Sequence, residues 1–352
     1  MTRANNFDLI RFLLAAIVVL FHAHVLSQNQ RLAFLSRVLS PDVAVKGFFV
    51  VSGYLIFRSW DGSKGLVDYA SKRARRIYPA YAAVVLGCAL FGAVVTNLSL
   101  RRYFSVLWLR YVGANLVFLN FLAPTLPGVF TGNPEATVNG ALWTLKIEVM
   151  FYAVVSIVAW LIHRYGAVPV AVSIYVASVG YSLGMLHLAD TTGRHIFSTL
   201  AHQLPGQLSF FMTGALLYHK EDSLRRWLLP GAVVSIILLV VGAAGIDSVL
   251  RPVLLGLTVI YFAIGFPYAG NFGRFGDFSY GIYIIHFPVL QWLVSQGSFQ
   301  ASPFATLLLA CVAILGAAFV SWRYVERPFL FRSSHYVEAT KILHPARAGP
   351  RS

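Results

Sequence analysis

The chain has 352 residues, of which 58% are hydrophobic and 12% charged, about half the charged fraction of an ordinary soluble domain. The apolar residues gather in runs of about 17–23, long enough to cross a bilayer as helices, and the alternating pattern of barrel strands is absent. This excludes a soluble enzyme and predicts an all-α polytopic membrane protein; the net charge of +15 sits in short loops between apolar runs, as inner membrane loops require, rather than on a nucleic-acid surface.

Ten spans are predicted, near 7–26, 43–59, 78–96, 142–162, 167–187, 202–219, 227–245, 251–268, 279–297 and 303–325. Residues 104–123 are ambiguous, being apolar but interrupted by Arg110, Asn115 and Asn120. Charge decides between the readings. The loop 58–77 holds Arg58, Lys64, Lys72, Arg73, Arg75 and Arg76; the loop 220–226 holds Lys220, Arg225 and Arg226; the tail holds Arg327, Arg332, Lys341, Arg347 and Arg351. If 104–123 does not cross, all three regions share one face, which must be cytoplasmic. The preferred reading therefore has ten spans, both termini in the cytoplasm, and 97–141 as a long outer segment, partly re-entrant. Arg101, Arg102 and Arg110 on the outer side weigh against it. Residues 1–332 then form one integral-membrane domain and 333–352 a disordered cytoplasmic tail.

The first span, FDLIRFLLAAIVVLFHAHV over 7–25, carries the strongest chemical signal. Arg11 and His22 are eleven residues apart, which at about 100° per residue returns them to within roughly 20° of one direction, about 16 Å apart along the axis. Asp8 falls within about 40° of His22. Ionisable groups at membrane depth are costly and mark functional sites, and neutral imidazole accepts a proton near neutral pH. His24 points about 200° round the helix and reads as a bracing residue. Arg11, the absence of a small-residue cleavage site and the many later spans argue against a cleavable signal.

In the second span, GFFVVSGYLIF over 47–57, Ser52-Gly53 lets another backbone approach closely, and Lys46 at the outer end snorkels to the interface. The third segment opens KRARRIYPAY, residues 72–81. Arg73 and Arg76 share a helix face. Paired guanidinium forks suit phosphates, although a plain positive-inside anchor accounts for the same residues, with Arg75 among them. Cys88 and Cys311, isolated in apolar runs, are packing residues, and no metal site is expected. LWTLKIEVMFY, residues 142–152, places Trp143 and Glu148 in the next span. They are an interfacial Trp and a salt-bridged Glu, or else a carboxylate that orients an imidazole, pairs with an arginine or meets substrate. Pro205-Gly206 and Pro288 predict kinks. Late in the chain, FSYGIYIIHFPVL over 278–290 contains His286, a brace or a substrate contact. SWRYVERPF over 321–329 closes the last span with Glu326-Arg327-Pro328, a helix stop.

In this order the pieces resemble the membrane-bound acyltransferase family 3, which includes bacterial O-antigen and exopolysaccharide acetyltransferases. Its pattern has an arginine, ten residues and a histidine on the first span, then FFxxSG, RxxR, WxLxxE, SYGxYxxH and a terminal SxxxxERP. The chain supplies Arg11 with His22, Phe48-Phe49 with Ser52-Gly53, Arg73 with Arg76, Trp143 with Glu148, Ser279 through His286, and Ser321 with Glu326-Arg327-Pro328. Each motif is weak singly, but six in order are specific. One departure is Val45-Lys46, where many members carry an acidic residue ahead of the FF pair, at the outer mouth of the site.

The resemblance implies transfer of an acyl group, usually acetyl, from cytoplasmic acyl-CoA to a hydroxyl of a cell-surface or exported carbohydrate, lipid-linked or free. Acetyl-CoA is the expected donor substrate, the bacterial inner membrane the expected location, and membrane lipids rather than nucleic acid the expected surroundings. His22 is the candidate general base or covalent acyl carrier. Arg11 binds donor or stabilises developing charge, Asp8 holds Arg11, Glu148 orients His22, and Arg73 and Arg76 bind the donor phosphates. Trp143, Ser52, His286 and Glu326 meet substrate or brace the fold. Some relatives append an extracytoplasmic hydrolase-like domain; without one here, transfer is expected to be completed within the membrane domain. His22 lies about two-thirds of the way to the outer face, so the donor is expected to reach up from the cytoplasm and the acceptor to enter from outside. A transporter or flippase also accounts for intramembrane charges and broken helices, though no inverted repeat is visible. A non-catalytic partner of a polysaccharide assembly complex, a succinyl donor and a small acceptor such as a macrolide remain alternatives.

Overall fold

The computed structural model describes residues 5–241 and 247–331. The expected disordered tail 333–352, with Lys341, Arg347 and Arg351, lies outside the described residues, as does Arg332 before it. Among the described residues every regular element is helical. Eleven longer α-helices are numbered here: α1 Phe7–Ser27, α2 Pro41–Asp61, α3 Leu66–Val95, α4 Val106–Leu116, α5 Leu142–Tyr165, α6 Ala167–Thr192, α7 Leu204–His219, α8 Leu228–Val241, α9 Asp247–Ile260, α10 Phe278–Ser295 and α11 Pro303–Ser321.

Among the described residues seven helical stretches are long and apolar enough to cross a membrane: α1, α2, α3, α5, α6, Glu221–Val241 and Pro303–Phe329. With the backbone hydrogen bonds of these stretches satisfied within each helix, the protein is an all-α polytopic membrane protein. The other three predicted spans are also helical but shorter or more polar. They fall on α7, with 16 residues, on Val249–Gly265, and on α10, which carries His286, Pro288 and Gln291.

The chain divides into two compact units. One gathers the described residues up to Leu14, 42–70 and 147–270; the other gathers 15–41, 71–146 and those from 271 onward. In the first, α2 and α7 meet backbone to backbone. A Cβ on Gly53 would strike the Phe211 carbonyl, and one on Gly214 would strike the Val50 carbonyl. Two glycines facing opposite backbones explain the Ser52-Gly53 signal, because small residues permit the close approach that drives association in lipid. Beside this crossing Phe151 stacks on Phe211 at 4.3 Å and meets Phe49 edge-on at 5.2 Å. Pro205 does not kink a span; it lies in the first turn of α7, where its missing N–H costs nothing.

In the second unit, α10 and α11 pack through Gly281, whose absent Cβ leaves room for Ala318. The ambiguous stretch 104–123 contains α4. Its 11 residues reach about 16 Å, half of a roughly 30 Å hydrocarbon core. Asn115 then turns the chain: its side chain donates to the carbonyls of Tyr111 at 2.8 Å and Ala123 at 2.9 Å, while Tyr81 donates to its backbone carbonyl at 2.7 Å. The stretch therefore does not cross as one helix.

Candidate active site

Within the second unit the C-terminal half of α1 carries His22 and the middle of α10 carries His286. The sequence separates them by 264 residues, yet His22 Nδ1 lies 3.0 Å from His286 Nε2. The rings are near parallel, with centroids 5.2 Å apart at 24°. His286 is completely buried, and its Nδ1 lies 2.7 Å from the Tyr283 carbonyl one turn earlier. His22 is half-buried and meets the Phe287 ring edge-on at 5.4 Å. The two imidazoles thus form a pair set in an aromatic wall of Phe287 and Tyr283.

The segment 133–141 holds that wall in place. Pro288 has no N–H, so the Ile284 carbonyl loses its intrahelical donor. The buried Asn139 side chain supplies one, at 2.8 Å, and α10 runs on unbroken to Ser295. Here Pro288 marks a docking point on α10. One turn further, the fully buried Gln291 donates to the carbonyls of Glu135 at 2.6 Å and Thr137 at 2.7 Å, and it receives Asn133 at 2.8 Å. Gly140 is required by contact, since a Cβ there would sit 2.7 Å from the Phe287 ring that faces His22. Thr144, at the start of α5, shares a 2.8 Å hydrogen bond with Tyr283. Glu135 lies at the exposed end of this segment. Hydrogen bonds from the Thr137 hydroxyl and N–H hold its carboxyl below the ordinary value.

At the N-terminal end of α10 a second buried cluster forms. Arg76 on α3 pairs with Asp277 and, at 3.0 Å, with Glu326. Both carboxylates are 1% exposed. Asp277 caps α10, accepting from the Ser279 N–H at 3.2 Å and its hydroxyl at 2.5 Å. Beyond α11 the helix widens into a π turn, Trp322–Glu326. Its i, i+5 spacing brings Glu326 back over Ser321, whose hydroxyl donates at 3.1 Å. Arg76 also faces the Tyr280 and Trp322 rings. The sequence placed Arg76 on a donor phosphate; the structure places its fork between two carboxylates. Arg73, one turn earlier on α3, is half-buried.

The other candidates are distributed as follows. Asp8 and Arg11 lie on the same continuous helix as His22 but in the first unit, three residues apart and so on one face. Glu148 is half-buried and accepts from Tyr152 on its own helix at 2.7 Å. Glu148 belongs to the first unit and His22 to the second. Trp143 is 37% exposed and sits one residue before Thr144. Ser52 flanks the Gly53 crossing. Sequence reasoning missed Asp277, Asn139 and Gln291. The signals were present: an Asp-x-Ser cap ahead of an apolar run, and amides in or beside a span that must find partners.

Among the described residues the site is an imidazole pair at the middle of α10 and a buried ionic cluster at its N-terminal end. A family model described as "Acyltransferase domain" matches residues 5–323. The chain is a member of this membrane acyltransferase family, acyltransferase family 3, and is an acyltransferase. It is similar to a protein named O-acetyl transferase from Shigella phage Sf6, with 29% identity over 342 residues, covering 95% of this chain and 98% of the relative. It is likewise similar to Nodulation protein 10 of Rhizobium leguminosarum bv. viciae, with 29% identity over 353 residues, covering 92% of each. No solved structure gives a significant match.

Proposed function

We propose that the protein is an O-acyltransferase that moves an acyl group, most often acetyl, from acyl-CoA to a hydroxyl of a cell-surface or exported carbohydrate, in a bacterial inner membrane. The observation that carries this is the His22–His286 pair, on the helix where the arginine–histidine motif of the family lies. The name of the phage relative supports oxygen as the acceptor atom.

In the proposed reaction the acceptor oxygen attacks the thioester carbonyl while His22 takes the hydroxyl proton. The tetrahedral intermediate collapses, the C–S bond breaks, and the imidazolium returns its proton to the departing CoA thiolate. General-base assistance of this kind contributes about 10²–10⁴-fold. Arg11 stabilises the oxyanion or the donor. Arg73 holds donor phosphates from the cytoplasmic side, while Arg76 keeps the end of α10 in place rather than binding phosphate. The acceptor, lipid-linked or free, approaches along the wall formed by 133–141.

The test is O-acetylation of surface glycan in cells expressing wild-type, His22→Ala or Arg73→Ala protein at matched membrane levels, read by NMR or mass spectrometry. Acetyl groups are expected with wild type and lost in both variants. Acetylation that survives His22→Ala removes the proposed base, and none with wild type means the acyl group or acceptor is a different one.

A further inference from the structure

The structure assigns to His286 the role of a positioning residue: it fixes the tautomer and orientation of His22 so that Nε2 is the nitrogen that meets the acceptor hydroxyl. This rests on the acyl-transfer reading above and names the group that prepares its base.

The argument is a chain of donors and acceptors. A carbonyl oxygen only accepts, so the Tyr283 carbonyl at 2.7 Å requires the proton of His286 to be on Nδ1. The backbone of Ile282 adds a second contact to the same ring. Neutral His286 then presents a lone pair on Nε2, and that nitrogen faces His22 Nδ1 at 3.0 Å. Two lone pairs cannot bond, so His22 Nδ1 must donate. The one remaining lone pair of neutral His22 is on Nε2. When Nε2 takes a proton, the Nδ1–H bond becomes charge-assisted and strengthens, which stabilises the imidazolium as it forms.

His286 is suited to this because everything around it is fixed. It is completely buried, its ring lies against Tyr283 and Phe287, and Asn139 and Gln291 tie its helix to 133–141 within two turns. A carboxylate in its place would carry a net charge into an apolar wall, which is unfavourable unless that charge is paired. A neutral imidazole accepts the same proton without that cost. The backbone of Val18, one turn before His22, also contacts its ring, and the His286→Phe spectrum described below separates that contribution from the one made by His286.

The experiment uses full-length protein labelled with 15N-histidine in lipid nanodiscs. The His22 signals are assigned by difference against His22→Gln, because the chain has ten histidines. In wild type the neutral ring is expected to show a protonated Nδ1 and a bare Nε2. His286→Phe keeps the ring volume and removes the acceptor; it should give a mixture of tautomers. It should also lower kcat by about 10²-fold while KM for acyl-CoA stays within about twofold. His286→Gln, whose amide oxygen lies near the lost Nε2, should restore the wild-type spectrum and about tenfold or more of the lost rate. An unchanged Nδ1–H signature in His286→Phe overturns the proposal whatever the rate, as does a wild-type ring protonated on Nε2. The spectrum is read without turnover, so a failure of the acyl-transfer reading registers separately, as absence of transfer by wild type.

Discussion

At the scale of single residues, the proposed function gives the two arginines of the RxxR motif different roles. Arg76 is 14% exposed and lies between two carboxylates that are each 1% exposed. Removing one partner of a buried ionic cluster leaves uncompensated charge and costs about 3–5 kcal/mol. Arg76→Ala should therefore lower the thermal midpoint sharply and yield little folded protein, with part of the loss recovered by adding Glu326→Gln. Arg73→Ala should fold normally and show its effect as a raised KM for acyl-CoA. Thermal unfolding in detergent with acyl-CoA titration checks both; an Arg76→Ala protein as stable as wild type refutes the bracing role. The sequence pointed to both arginines from their spacing. It could not tell them apart, because Asp277 and Glu326 are 201 and 250 residues from Arg76.

At the scale of elements, α10 joins the site to its surroundings. Its first turn is capped by Asp277, its middle carries His286, and its C-terminal half is tied to 133–141 by Asn139 and Gln291. Pro288 makes the Asn139 bond necessary. Asn139→Ala should destabilise the protein by about 1–3 kcal/mol, since it leaves the Ile284 carbonyl without a donor. In a Pro288→Ala background the backbone regains an N–H at position 288 that can reach that carbonyl, so the same Asn139 substitution should cost less. A double-mutant cycle on unfolding free energy measures this, with a coupling of about 0.5–3 kcal/mol expected and none if the bond is incidental. The proline was legible as a helix irregularity. Its partner was not, because a kink and a docked amide leave the same mark in one sequence.

At the scale of the whole molecule, helices account for the composition, and α4 with its Asn115 turn explains why an apolar stretch need not be a span. We propose that 133–141 lies on the outer face and 62–65 on the inner, as the basic residues of the early loop require. Cysteines introduced at Gly132 and Lys64, both exposed, in a chain with Cys88 and Cys311 replaced, would be tested with a membrane-impermeant thiol reagent. Position 132 should react in intact spheroplasts and position 64 only after lysis. The reverse pattern would invert the proposed approach of donor and acceptor. The relatives aligned over nearly their full length give this test natural comparisons.

The sequence by itself determined the class of fold, most of the spans and the family, and it singled out His22 as a candidate, because hydrophobic run length and the cost of buried charge act locally along the chain. It also marked Gly53, since close helix contact in lipid requires a small residue wherever the partner comes from. The tertiary structure decided which groups touch. The imidazole that meets His22, the carboxylates that hold Arg76 and the glycine opposite Gly53 come from distant helices. Hydrogen bonds of about 3 Å fix donors and acceptors only after those helices have packed, and no periodicity in one chain records that pairing.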